Sequence, residues 1–170
     1  MITANFSGEK VFSNSTEAFS LNEKSKFGEK LNNKIEYSLP ETLYLIKEKK
    51  LNLIQNKKEL SLDEAIKKFK RLDKRIETKF AVFNKLRKKG HILKTALKFG
   101  ADFRVYEKGT NPGKSHSKWI LFCVRENQTS TWQDFAAKNR VAHSTKKKLL
   151  IGIVDEEDDV TFYEIGWINP

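Results

Sequence analysis

Cysteine, proline and glycine are scarce in this sequence, with one, three and eight of them in 170 residues. Because Cys123 is the single cysteine, it cannot form an internal disulfide, and the apolar context WILFCVR predicts a small core residue. The low content of proline and glycine excludes a disordered, low-complexity chain.

Long apolar runs are also missing. No stretch approaches the roughly 18 apolar residues that a transmembrane helix needs. The segment MITANFSGEKVFSNS lacks the apolar core of a signal peptide. We therefore expect a cytoplasmic protein that has no membrane partner.

Basic residues, by contrast, are abundant. Lys and Arg total 33 against 22 Asp and Glu, which gives a formal net charge of +11. Such an excess predicts a polyanionic partner, with nucleic acid first. A lysine-rich solvated surface without that partner would give the same count and stays open as the alternative.

Patterns in the first half predict a mixture of strands and helices. Within residues 5–37, the pieces KVFSN, EAFSL and KIEYS indicate a small sheet with turns. The S-x-x-E capping boxes at residues 38–41 and 61–64 each predict the start of a helix, and LNLIQN predicts a strand between the two helices. The apolar spacing of the second helix continues until Gly90 ends it.

After Gly90 the pattern changes to strands. DFRVYE, KWILFCV, KLLIGIVD and VTFYEIGWI predict strands, interrupted by an amphipathic helix over residues 131–144. The unbroken apolar run in KWILFCV predicts a strand buried on both faces. We therefore predict an α+β fold of two small mixed α/β domains, at residues 1–77 and 78–170. The second is expected to be a central mixed sheet with flanking helices.

Tyrosine, histidine and lysine recur at the predicted strand ends of the second half. Tyr106 ends one strand, His116 lies just before the next, and RVAHSTKKKLL carries Lys146, Lys147 and Lys148. Metal-free RNA cleavage needs a base for the 2′-hydroxyl, an acid for the leaving 5′-oxygen and a cation for the phosphorane. These residue types can supply the three roles if nearby cations lower the tyrosine pKa. Spacing alone leaves a charged surface hairpin as the alternative.

Three ordered motifs, GADFRVYEKG, KSHSKW and RVAHSTKKKLLIGIVD, closely resemble the catalytic domain of the archaeal tRNA-intron splicing endonucleases. The resemblance extends from about Lys79 to Pro170, and YLIKEKKLNLIQNKKELSLDEAIKKF resembles the N-terminal domain of that family less specifically. It implies an enzyme that cuts precursor tRNA at bulge–helix–bulge intron junctions. It also implies products with 2′,3′-cyclic phosphate and 5′-hydroxyl ends.

The resemblance implies a role for each candidate residue. Tyr106 matches the general base, His116 the general acid, and Lys147 the residue that stabilises the transition state. The family acts without a metal, and no Asp/Glu/His cluster with metal-ligand spacing is evident, so we expect no cofactor. Arg140, with Trp167 as our candidate partner, matches the flat groups that hold a flipped-out bulge base. For Trp167, packing at a strand edge is the alternative.

Further residues complete the expected site. Lys146 stands where the family has a basic residue before the catalytic lysine, and it is a candidate RNA contact. His143 is interpreted as structural, and Trp119 and Trp132 as core or interface residues. The acidic loop, residues 155–159, resembles a loop that inserts into a basic cleft of a neighbouring subunit. The expected contacts in that loop are Asp155, Glu157 and Asp159.

A chain of this length with one set of catalytic residues resembles the four-subunit forms of the family, which implies a tetramer. A homotetramer and a heterotetramer with a structural subunit both stay open. The rival interpretation of the whole chain is a non-catalytic structural subunit, or an RNA-binding module on the same fold.

Overall fold

The computed structural model describes residues 1–170, which divide into two compact units, Met1–Phe83 and Asn84–Pro170. The division falls inside a helix, α4 (Ile76–Lys88). The predicted boundary between residues 77 and 78 lies in the same helix and stays a prediction. None of the helices combines the length and the apolar character that a bilayer crossing requires.

The first unit is a six-stranded sheet with helices. Before α4 its elements are β1 (Ile2–Ser7), β2 (Lys10–Ser13), α1 (Thr16–Ser25), β3 (Glu29–Leu31), β4 (Lys34–Tyr37), α2 (Leu39–Lys47), β5 (Leu51–Gln55), β6 (Lys58–Leu60) and α3 (Leu62–Leu72). The strand order is β3-β4-β2-β1-β5-β6, in which β1 and β5 are parallel and the other neighbours antiparallel. This unit therefore combines helices with a mixed sheet, in agreement with the predicted α+β fold of mixed domains.

Both predicted capping boxes are present. The hydroxyl of Ser38 accepts from the amide of Glu41, whose carboxylate accepts from the amide of Ser38, and Ser61 and Glu64 repeat the pattern. These reciprocal bonds satisfy amides that have no partner within the helix, so α2 and α3 begin where the sequence predicted.

Two predictions in this half are wrong. The segment EAFSL lies in helix α1, where the Ser15 hydroxyl accepts from the amide of Ala18. Its short apolar alternation fits helix and strand equally, and the N-cap decides. The helix predicted from residue 62 to Gly90 is also broken. Asp73 is extended, with φ −140° and ψ 104°, and its carboxylate accepts from the amide of Arg75 ahead of α4.

The second unit contains a five-stranded mixed sheet. Its elements after α4 are β7 (Ile92–Ala96), a 3₁₀ turn (Leu97–Phe99), β8 (Ala101–Tyr106), β9 (Trp119–Arg125), α5 (Trp132–Ser144), β10 (Lys148–Val154) and β11 (Val160–Ile165). The strand order is β11-β10-β9-β8-β7, in which only β9 and β10 are parallel. Helix α5 makes the crossover between these two and packs against β10. The predicted mixed sheet with flanking helices is confirmed.

Strand β9 forms the centre of this sheet, and its residues Ile120 to Cys123 are all buried. The prediction of a strand covered on both faces is thus confirmed, and Cys123 is a buried free thiol, as expected. One edge of the sheet, here named the Tyr106 edge, contains the end of β8, the starts of β9 and β10 and the end of β11. The register fixes this arrangement through the pairs Val105–Trp119, Trp119–Lys148 and Leu149–Ile165.

Candidate active site

Hydrogen bonds to backbone carbonyls bring the three candidate catalytic residues to the Tyr106 edge. The amide of Lys118 donates to the carbonyl of Val105, next to Tyr106, at 3.0 Å. The Nζ of Lys147 donates to the carbonyl of Ser117, next to His116, at 3.1 Å. The amide of Lys148 donates to the carbonyl of Lys118 at 2.9 Å. Residues 117 and 118 therefore connect segments that are far apart in sequence.

Tyr106 is the last residue of β8 and is only 4% exposed. Its carbonyl oxygen lies 2.9 Å from Nδ1 of His91. A carbonyl can only accept, so Nδ1 carries the proton in this contact. The imidazole of His91 also meets the ring of Trp119 edge-on, with ring centroids 5.7 Å apart. The Tyr106 carbonyl is thus bound by His91, whose ring rests against Trp119, and only a small part of Tyr106 faces solvent.

His116 lies in the loop between β8 and β9 and is exposed. The loop has internal order, because the carbonyl of Asn111 accepts from the amides of Lys114 and Ser115 at 2.9 and 2.8 Å. The following residue, Ser117, is 6% exposed and is held by Lys147. The exposed imidazole of His116 therefore lies between two residues held by hydrogen bonds, Asn111 and Ser117. Such an accessible group suits catalysis on a large substrate.

Lys147 is positioned by the C-terminal end of α5. The amide of Lys146 donates to the carbonyl of His143 at 3.0 Å, and the amide of Lys147 donates to the carbonyl of Ala142 at 2.8 Å. With Lys146 in the left-handed region (φ 56°), these bonds form a Schellman motif, which ends the helix and aims the next residue away from it. Lys146, our candidate RNA contact, is exposed and also serves as this helix stop.

Electrostatics at Lys147 are unusual for a lysine. Burial and, second, the neighbouring Arg104 guanidinium lower the pKa of its ammonium group. Arg104 is itself held by a bond from its Nε to the carbonyl of Thr95 at 3.1 Å. Sequence patterns did not single out Arg104, although its place two residues before Tyr106 puts it on the same face of β8.

Arg140 and Trp167 line one cleft. It has a volume of about 370 Å³ and is bounded also by Phe135, Ala136 and Asn139 from the same face of α5. We name it the base cleft. Trp167 follows β11 in irregular structure and is 50% exposed, so its packing as a buried residue at a strand edge is not observed. The helical spacing of Phe135, Asn139 and Arg140 was the signal available in the sequence.

A second cavity at this edge, of about 630 Å³, is the lysine pocket, which is lined by Lys118, His143, Ser144, Lys146, Lys147 and Lys148. No carboxylate lines it, and clustered ammonium groups of this kind attract phosphate. Lys118 was not singled out by the sequence. It is exposed, and its Nζ pairs with a carboxylate oxygen of Glu107 at 2.7 Å.

The acidic loop lies at the other edge of the sheet. Strand β10 separates it from the Tyr106 edge by roughly 20 Å at 3.3 Å per residue. An Oδ1 atom of Asp155 accepts from the amides of Glu157 and Asp159, both at 2.9 Å. A carboxylate oxygen of Asp159 pairs with Lys85 at 3.1 Å. Glu157 is exposed, and only its backbone amide, not its carboxylate, takes part in these loop hydrogen bonds.

The remaining tryptophans differ from each other. Trp119 is half-buried, and its indole Nε1 donates to a carboxylate oxygen of Glu164 at 2.6 Å. Trp132 is 84% exposed, so a place in the core is wrong for it and an interface role stays a prediction. Trp132 is the first residue of α5, in a stretch, residues 131–134, that is exposed throughout.

Comparison with known proteins gives two matches to family models. Residues 76–162 match the tRNA intron endonuclease catalytic C-terminal domain, and residues 2–66 match the N-terminal domain of tRNA intron endonucleases. A tRNA-splicing endonuclease of Thermococcus onnurineus is 37% identical over 96% of this chain and 94% of its own length. One of Nanoarchaeum equitans is 45% identical over 79% of this chain and 90% of its own. Another, of Methanothermobacter thermautotrophicus, is 38% identical over 88% and 87%.

Proposed function

This chain belongs to the archaeal tRNA intron endonuclease family, and on that premise we propose that it cuts precursor tRNA at bulge–helix–bulge intron junctions. The observation that carries the proposal is the hydrogen bonding at the Tyr106 edge. There Ser117 and Lys118, which follow His116, contact Lys147 and the residue before Tyr106. A base, an acid and a cation can then act on one phosphodiester.

The proposed reaction is an internal transesterification. The Tyr106 phenolate removes the proton from the 2′-hydroxyl, and the 2′-oxygen forms a bond to phosphorus. The bond from phosphorus to the 5′-oxygen breaks, and His116 gives its proton to that oxygen. The products are a 2′,3′-cyclic phosphate and a 5′-hydroxyl, so no water and no metal enters the step.

Lys147 stabilises the charge that builds on the non-bridging oxygens of the phosphorane. Its partial burial supports this role, because a charge acts more strongly where water is partly excluded. Arg104 adds a second positive charge nearby. Tyr106 is nearly buried, so we propose that RNA binding shifts the loop of residues 107–118 enough for the phenol to reach the 2′-hydroxyl.

Substrate selection is proposed to depend on RNA shape. A base that has left the helix would enter the base cleft and stack between the Arg140 guanidinium and the Trp167 indole. Such stacking contributes about 1–3 kcal/mol per base and tolerates any base. Lys146 and the other cations of the lysine pocket would hold adjacent phosphates. This combination suits an enzyme that recognises bulges rather than sequence.

The assembly is proposed to be a tetramer in which the acidic loop of one subunit binds a basic surface near the loop after Tyr106 in another. The distance of the acidic loop from the Tyr106 edge of its own sheet supports a contact between subunits. Glu157 would make this contact, while Asp155 maintains the loop. A homotetramer and a heterotetramer with a structural subunit remain alternative forms.

The deciding experiment is cleavage of a bulge–helix–bulge RNA in the presence of EDTA. We expect cyclic phosphate and 5′-hydroxyl ends from the chain alone or with a structural subunit. A substrate with a 2′-deoxynucleotide at the scissile position should bind but not be cut. Binding of the unmodified RNA without cleavage, under both conditions, would favour the rival function of a structural subunit or RNA-binding module.

Site variants test the assigned roles. His116→Ala should lower the single-turnover rate by about 10²–10⁴-fold while RNA affinity is retained, since general acid catalysis contributes that much. Ser115→Ala, in the same loop, is the matched control and should keep the rate. Tyr106→Phe removes only the hydroxyl and should have a comparable effect to His116→Ala. A full rate in either active-site variant would contradict its role.

A further inference from the structure

Trp167 is held by a ring that none of the proposed roles uses. It lies two residues after the end of β11, outside the strand pairing, and half of it is exposed. Its indole contacts the imidazole of His143, with ring centroids 4.2 Å apart and planes inclined by 58°. A tryptophan in irregular structure has no fixed orientation unless a neighbour supplies one, and here that neighbour is a histidine.

We propose that His143 is a positioning residue that holds Trp167 opposite Arg140 and thereby sets the width of the base cleft. This inference rests on the proposed function, because it assumes that the cleft receives an RNA base. His143 would act through Trp167 and would not touch the reacting phosphate.

The anchoring of His143 supports this role. It belongs to the last turn of α5, where its carbonyl accepts from the amide of Lys146 and the neighbouring Ala142 is buried. Arg140 lies three residues earlier and hence on the same side of the helix. Arg140 and the histidine that contacts Trp167 therefore belong to one helix, which would set the spacing between Arg140 and Trp167. The C-terminal segment alone would not define it.

The same imidazole, which contacts Trp167 of the base cleft, also lines the lysine pocket. A nucleotide whose base enters the cleft would then direct its phosphate towards Lys146 and Lys147. His143 thus separates the place for the base from the place for the phosphate. Removing its ring would release Trp167 and would leave the lysines in position.

Fluorescence can follow Trp167 directly, because the sequence has three tryptophans. In a Trp119→Phe, Trp132→Phe background, His143→Ala should shift the emission to longer wavelength and lower the anisotropy. His143→Phe keeps a flat ring and should restore both signals. Gln133→Ala, on the first turn of the same helix, is the control and should leave both signals unchanged.

RNA affinity provides the second measurement, on the same proteins with a bulge–helix–bulge RNA. His143→Ala should weaken binding by about 5- to 150-fold, the factor that corresponds to the stacking free energy of one base. The rate at saturating enzyme should change by less than about threefold, and His143→Phe should recover the affinity. Because a phenyl ring cannot take up or release a proton, recovery of RNA affinity in His143→Phe would show that His143 positions Trp167 and does not act as an acid or base.

Other outcomes would overturn the proposal. An unchanged Trp167 signal in His143→Ala would show that the contact is not made. Recovery of fluorescence without affinity in His143→Phe would make His143 an RNA contact itself. A large rate loss in both variants would make it catalytic. If the unaltered chain binds no RNA, the proposed function fails, whereas the fluorescence still decides whether His143 orients Trp167.

Discussion

Replacing Lys147 by alanine removes the cation that we assign to the transition state. Lys147 is half-buried and lies near Arg104, and the burial and this neighbouring charge lower the pKa of its ammonium group. At about 4 Å, a phosphorane charge and an ammonium group interact by about 4 kcal/mol at an effective dielectric constant of about 20, against about 1 kcal/mol in bulk water. Loss of one such stabilising group costs about 10²–10³ in rate in comparable sites. We expect a fall of that size in Lys147→Ala.

The same substitution has a structural effect that must be separated from the chemical one. The Ser117 carbonyl loses its partner, in a residue that is 6% exposed, and an unsatisfied buried group costs about 1–3 kcal/mol. The loop that carries His116 would then be less well held. Thermal unfolding of the variant measures this cost independently of catalysis.

Single-turnover cleavage at saturating enzyme is the suitable assay, with Lys146→Ala as the matched control. Lys146 is the adjacent lysine of the same pocket, but it is exposed, and its backbone forms the helix stop. Lys146→Ala should weaken RNA binding and reduce the slope of log affinity against log salt by about one. The cleavage rate at saturating enzyme should stay within a few-fold of that of the unaltered chain. A fall of less than tenfold in Lys147→Ala, or equal falls in both variants, would refute the assigned role.

Further predictions concern pH and assembly. Since Arg104 contributes to lowering the pKa of Lys147, Arg104→Gln should raise that pKa. Cleavage needs the charged lysine, so the rate falls as pH rises through this pKa, and in Arg104→Gln it should persist to higher pH. The prediction is contradicted if the alkaline side of the pH–rate profile does not move, or if it moves equally in the distant control Lys98→Gln. Glu157→Gln should lower the oligomer mass in light scattering, most clearly at low salt where the charge contact is least screened, with the hairpin intact. Asp155→Ala should lower both the mass and the melting temperature because two loop amides lose their acceptor, and an unchanged mass in both variants would remove the loop from the interface.

The sequence by itself determined the α+β class, the capped starts of α2 and α3, and the central buried strand β9. These features follow from local chemistry: a capping box satisfies its own helix end, and a run of apolar residues must be buried wherever the strand lies. The order of the motifs around Tyr106, His116 and Lys147 also sufficed to indicate the family, because the residue types carry the chemistry.

Only the tertiary structure decided how those residues are held. Helix α1 and the break at Asp73 depend on single side-chain to backbone bonds, which apolar periodicity does not report. The bond from Lys147 to Ser117, and the cleft between Arg140 and Trp167, join segments about 30 residues apart, so no local pattern contains them. The use of Asp155 inside its own loop is likewise a matter of geometry, since an acidic run looks the same whether its carboxylates face a partner or their own backbone.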